Sequence, residues 1–256
     1  MAVKRPFIAS ILTVGITSIT AQIVLLRELI IVFYGNEVSI GLMLGCWLFF
    51  GAAGSILLGR FTEKIPNRII TFCACQLSLG ILLPLLIIVL RHVKHLFGFL
   101  PGEIIPLGTM FVSSALAFAP LCTLLGFLFA LGCRIYPERD TASGIGRVYI
   151  IESIGAAAGG LITSFLLIRF FTPMQILFGL AAVNIISCIF LSNASPKIKL
   201  RKSLKGLSYL SLIVFALLIA TGHAARLEEG SKEAQWRPFN VIASKDSIYG
   251  NITVCK

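Results

Sequence analysis

Seven stretches of this chain, 7–33, 38–58, 69–90, 104–133, 148–168, 174–191 and 207–221, are apolar over lengths that a water-soluble fold cannot use. About 20 consecutive apolar residues carry an α-helix across the hydrocarbon core of a bilayer. The run at 207–221 is the shortest of the set. Between the runs lie short polar connections, so the pattern predicts an all-α polytopic membrane bundle of about seven transmembrane helices, with the lipid bilayer as its first partner.

Composition points the same way. The chain is 57% hydrophobic and 13% charged, with a mean hydropathy of +0.95, whereas soluble domains average about 45–50% apolar and 25% charged residues. Its net charge of +11 would suggest nucleic acid in a soluble protein, but here it is explained by topology. Lys and Arg accumulate in loops that stay cytoplasmic. One alternating set of connections holds Lys4 and Arg5; Arg60, Lys64 and Arg68; Arg134, Arg139 and Arg147; and Lys197, Lys199, Arg201, Lys202 and Lys205. The other holds only Arg91, Lys94 and Arg169. The expectation is a multi-pass protein of the cell (inner) membrane, N-terminus cytoplasmic, tail outside, and no nucleic-acid partner. Lys4 and Arg5 before an apolar run also fit a signal peptide, whose apolar region spans about 7–15 residues; this run continues to Phe33, as an uncleaved first helix would.

The seven cysteines lie mostly inside apolar runs and form no C-x-x-C pair, so they read as small hydrophobes. His92 and His95 share a helix face at a membrane end and read as a solvated cap. No metal, cofactor or catalytic grouping is predicted.

Turn residues punctuate the runs at Tyr34-Gly35-Asn36, Pro66-Asn67, Pro101-Gly102 and Pro173. The fourth run would form about 45 Å of helix with a bend at Pro120. Small residues recur at helical spacing: Gly41 and Gly45; Gly51, Ser55 and Gly59; Gly155 and Gly159. Such stripes let backbones approach in lipid; a ligand passage between the same helices is the sharper reading. The chain divides into a transmembrane domain (1–222), a polar linker (223–239) and a β-hairpin stub (240–256), in which Ile248, Gly250, Ile252 and Val254 alternate with polar neighbours after a turn near Lys245-Asp246.

An ionisable group at mid-bilayer costs about 2.5–3.5 kcal/mol on insertion scales, which singles out Arg27, Glu28 and Glu152, with Gln22 and Asn184 as uncharged company. Residue 27 lies about 30 Å along the helix from residue 7, near the outer interface. Glu37, Arg91 and Arg169 belong at the same level, and a network joining some of these is expected there. Glu152, counted from Arg147, falls about 7.5 Å inside the cytoplasmic end, with Arg134, Arg147 or Arg60 as partner. Gln22, Arg27, Glu28, Glu37 and Glu152 are thus the candidate polar network. It either closes the bundle's ends or lines a polar passage.

Three segments resemble one family. AQIVLLRELIIVFYGNE (21–37) with the Gly-rich 51–55, GRVYIIESIGAAAGGLITSFLLI (146–168), and SKDSIYGNITV (244–254) are similar to the fused, membrane-bound spermidine synthase-like proteins, the last to the hairpin that opens an aminopropyltransferase domain. The resemblance implies transfer of an aminopropyl group from decarboxylated S-adenosylmethionine to putrescine. It also implies a Gly-rich nucleoside-binding turn and a catalytic Asp beyond Lys256. Ser247 and Tyr249 match the opening pattern, whereas Gly250 stands where the family commonly has Gln. These residues by themselves are expected to lack that activity. The expected role is a membrane moiety that anchors or serves an aminopropyltransferase domain or subunit; a stand-alone small-solute transporter and a structural membrane subunit are the alternatives.

Overall fold

The computed structural model describes residues 4–35, 37–136, 141–194, 201–246 and 251–256. It is a bundle of long helices with a two-stranded hairpin at its C-terminus. Helix α1 (Lys4–Val32) is followed by α2 (Glu37–Ala53), which a π-helical turn (Gly54–Leu58) and a 3-10 turn (Gly59–Glu63) prolong. Next come α3 (Arg68–Leu96) and α4 (Leu107–Ile135). Helix α5 (Thr141–Ile162) runs through a second π-helical turn (Thr163–Leu167) into the single turn α6 (Ile168–Phe170). After Pro173 the chain forms α7 (Pro173–Ala194), α8 (Arg201–Ala220) and α9 (His223–Trp236). Among the described residues, six helical spans are long and apolar enough to cross a membrane, or seven if α8 and α9, bent by 70°, count as one broken span.

Side-chain pairings fix the direction of each crossing. Helices α7 and α8 are antiparallel, because Phe178 meets Phe215 at 5.4 Å while Cys188 meets Ser208 at 3.5 Å. Helices α1 and α7 are antiparallel too, through Ser10 with Ser187 and Thr17 with Asn184. So are α3 and α7, where Gln76 meets Ser187 and Gly80 faces Ala181. Two pairs that approach backbone to backbone run parallel: α1 with α5, where Leu12, Ile16 and Thr20 meet Gly155, Gly159 and Thr163, and α2 with α4, where Trp47, Gly54 and Gly59 meet Phe118, Thr123 and Ala130. The chain therefore alternates end to end. Helix α8 finishes where α1 and α3 finish, at the end opposite the N-terminus. The short run at 207–221 lies in a helix that starts earlier, at Arg201, and has 20 residues.

In lipid, tails are as apolar as leucine, so packing and buried hydrogen bonds hold helices together. Thr20 and Thr163 share a 2.8 Å hydrogen bond. Asn184 Nδ2 donates to Thr17 Oγ1 at 2.8 Å and to the Leu180 carbonyl at 2.9 Å. Bonds of this kind contribute about 0.6 kcal/mol each on average. Backbone approach does the rest. A Cβ on Gly155 would lie 2.3 Å from the Leu12 carbonyl, one on Gly159 2.8 Å from Ile16 Cα, and one on Gly126 2.1 Å from the Gly51 carbonyl. The Gly155 and Gly159 stripe is a helix contact. Gly41 and Gly45 are not, because a Cβ there meets nothing within 4 Å. The close approach to α4 is carried instead by Gly54 in the π-helical turn, where a Cβ would lie 2.2 Å from the Thr123 carbonyl, and from the other side by Gly126. Helix α4 is continuous through Pro120, and α3 contains a second internal proline, Pro84.

Gly222 sits at φ +71°, a left-handed conformation that glycine adopts without a Cβ penalty, and it makes the sharp break before α9. Residues 223–239, read from sequence as a linker, thus hold a 14-residue helix. Strands β1 (Val241–Asp246) and β2 (Asn251–Cys255) pair antiparallel, with Ser244 opposite Thr253 and Lys245 opposite Ile252. Lys245 and Asp246 are strand residues, so the turn comes after them. Residues 247–250, including Ser247, Tyr249 and Gly250, lie outside the described residues.

Gly155→Leu should separate α1 from α5 and cost about 1–3 kcal/mol through overpacking, seen as a lower melting temperature in detergent micelles. Gly41→Leu should leave that temperature unchanged.

Candidate functional site

Three elements converge at the far end of the bundle. The last turns of α1 and α3 bring Glu28 and Arg91 together, and α9 folds back over both. Arg91 is 1% and Glu28 2% exposed, so neither charge reaches solvent. Arg91 Nε donates to Glu28 Oε2 at 2.9 Å and Nη2 to Glu28 Oε1 at 3.1 Å. This fork-to-fork pairing suits a planar guanidinium. Nη2 also donates to Glu228 Oε1 at 2.9 Å, and Nη1 to Ser231 Oγ at 2.7 Å. Lys232 Nζ reaches the same Glu228 oxygen at 3.0 Å. Glu228, Ser231, Lys232 and Gln235 recur at i, i+3, i+4 and i+7, one face of a helix.

A second tier surrounds this core. Lys94, also buried, places Nζ 3.8 Å from the Tyr34 ring centre and 5.6 Å from that of Trp236. An ammonium over an aromatic face gains electrostatic attraction from the ring quadrupole. Tyr34 has φ 56°, and its hydroxyl accepts a hydrogen bond from the Gly102 backbone N–H, which ties the α1–α2 connection to the α3–α4 connection. His95 Nε2 donates to the Ala234 carbonyl of α9, whereas His92 Nδ1 bonds Ile88 on its own helix. The two histidines are thus not a shared pair. Among the described residues, no group of three or more His, Cys, Asp or Glu side chains is placed to hold a metal ion.

Of the residues expected at this level, Glu28 and Arg91 are joined in this cluster. Glu37 is exposed in the first turn of α2, where a carboxylate complements the helix dipole. Arg27, half-buried, lines a crevice with Ile168, Phe171 and Pro173. Arg169 lies over the Phe170 ring at 5.9 Å. Gln22 is half-buried in α1. Glu228 and Ser231 were hidden by the linker reading, although their helical spacing after Gly222 is a signal the sequence carries.

Glu152 belongs elsewhere. Helix α5 begins at Thr141, so Glu152 lies about 16 Å along it, roughly a third of the way along the apolar span that ends at Phe170. Its expected partners do not reach it: Arg134 pairs with Glu63 at 2.7 Å, and neither Arg60 nor Arg147 is joined to Glu152 by a hydrogen bond or ion pair. Glu152 instead borders a crevice between α1, α2, α4 and α5.

Fold and site define an integral, polytopic α-helical membrane protein. Comparison with protein-family models, curated proteins and solved structures finds no match to this chain.

Arg91→Met should destabilise the bundle by about 3–5 kcal/mol, since it strands buried carboxylates. The triple variant Arg91→Met, Glu28→Met, Glu228→Met should recover most of that loss in denaturant unfolding in micelles. Equal losses in the single and triple variants would contradict the network.

Proposed function

We propose that this chain is the membrane platform of a spermidine synthase-like protein of the cell (inner) membrane, with its N-terminus on the cytoplasmic side. It holds an aminopropyltransferase-like domain or subunit at the far end of the bundle. The observation that carries the proposal is the route from membrane to hairpin. Helix α9 is clamped to α1 and α3 through Arg91, and four residues separate its end from the hairpin, with Asn240 and Lys256 exchanging backbone hydrogen bonds at 2.9 Å. A short connection of this kind keeps an attached domain close to the end of the bundle where α9 is held.

The hairpin's faces support the same reading. Ser244, Asn251 and Thr253 bond one another on one face. On the other, Ile252 and Val254 stand 66% and 52% exposed. Two strands alone are marginally stable in water and need a further layer over an apolar face. The three resembling segments lie in α1–α2, in α5 and in this hairpin, which are the anchor and the seat.

The test uses the full chain in detergent micelles, mixed with a spermidine synthase catalytic domain that lacks its own first hairpin. Co-elution on size exclusion is expected, and Ile252→Asp with Val254→Asp should abolish it. Separate elution of the unmodified chain and the domain would overturn the proposal.

A further inference from the structure

The crevice beside Glu152 is the second polar feature of the bundle, and the far-end network does not explain it. It has a volume of about 480 Å³, within the roughly 300–1,000 Å³ of small-molecule sites. Its walls are mostly apolar and aromatic: Trp47 and Leu48 from α2, Leu125 and Phe129 from α4, and Tyr149 from α5. Polar groups are few, and the Ser18 and Ser55 hydroxyls join the carboxylate there. Trp47 is held by an edge-to-face contact with Phe118 at 5.5 Å. Ser55 belongs to the π-helical turn that interrupts α2, a distortion that recurs at functional sites.

A carboxylate inside a membrane span requires compensation, and Glu152 makes no side-chain hydrogen bond or ion pair with a described residue. Arg60 and Arg134 border the adjoining crevice, and Arg134 is engaged by Glu63. A ligand that compensates this charge would be a cation. Hard metal ions are a poor fit, because they take six or more oxygen ligands, or an octahedral shell of waters, and this wall offers one carboxylate and two hydroxyls. An alkylammonium fits the wall: its N–H groups pair with a carboxylate, and its charge and chain lie against Trp and Tyr faces.

We propose that the Glu152 crevice is a binding site for a small primary alkylammonium, with Glu152 as the counter-ion and Trp47 and Tyr149 as the aromatic walls. The site is independent of the platform reading, since no residue of the hairpin or of α9 takes part.

Equilibrium dialysis of the full chain in detergent micelles against radiolabelled butylammonium tests it, with butanol as the uncharged comparison. Saturable binding of butylammonium but not butanol is expected. Glu152→Gln, which removes a charge from the membrane interior and so does not threaten folding, should weaken binding about tenfold to hundredfold, the worth of a charge-assisted hydrogen bond. Glu152→Asp should retain part of the affinity. Tyr149 is 63% exposed, so Tyr149→Leu leaves the fold intact and should weaken binding severalfold. Absence of saturable binding by the parent chain, or equal affinity in Glu152→Gln, would overturn the site, as would displacement by equimolar sodium chloride.

Discussion

A guanidinium cannot be left alone in an apolar interior. Desolvation costs several kcal/mol per ion, recovered only by close opposite charges and filled hydrogen bonds. Arg91 meets that requirement with Glu28 from α1 and with Glu228 and Ser231 from α9. The carboxylate of α1 satisfies the forked side of the guanidinium, and the α9 groups take donors that remain. Because Glu228 and Ser231 are supplied by a helix beyond the last crossing, the same pairing that neutralises Arg91 also sets where the chain leaves the bundle. Lys94 between Tyr34 and Trp236, and His95 on the Ala234 carbonyl, act on the same three elements.

The rest of the bundle obeys a different economy. Leucine-rich surfaces gain nothing by leaving lipid for one another, so contact is concentrated where glycine removes a side chain. The two parallel pairs, α1 with α5 and α2 with α4, are built on Gly15, Gly155 and Gly159 and on Gly54 and Gly126. Between the two pairs lies the crevice that Glu152 enters. Close backbone packing within each pair leaves the space between pairs to be filled by side chains, and there the walls are aromatic and the floor carries a charge.

Much of this was legible in the chain. Apolar run length located the crossings, and alternation of direction put Glu28 and Arg91 at one level. Polar residues inside runs marked Glu28 and Glu152 as unusual. What escaped has physical reasons. Helix α9 has no apolar stripe, so a search for hydrophobic periodicity passes over it; it is held by a charged stripe whose partner is remote in sequence. Arg147 looked like a helix end, whereas α5 starts at Thr141 and carries that arginine within its second turn. Gly41 and Gly45 have the spacing of a packing motif without a neighbour, since spacing reports the shape of a helix face and not what lies against it. The strand alternation was visible, but the position of the turn depends on pairing register, which short strands encode weakly.

The central claim is that the Arg91 network draws α9 to the end opposite the N-terminus, which makes α8 a complete crossing. It is tested most directly by fusing alkaline phosphatase or green fluorescent protein after Lys256 and, separately, before Met1, and reading enzyme activity and fluorescence in cells. The account predicts that the two termini report from opposite sides of the membrane. Both termini reporting from the same side would contradict it.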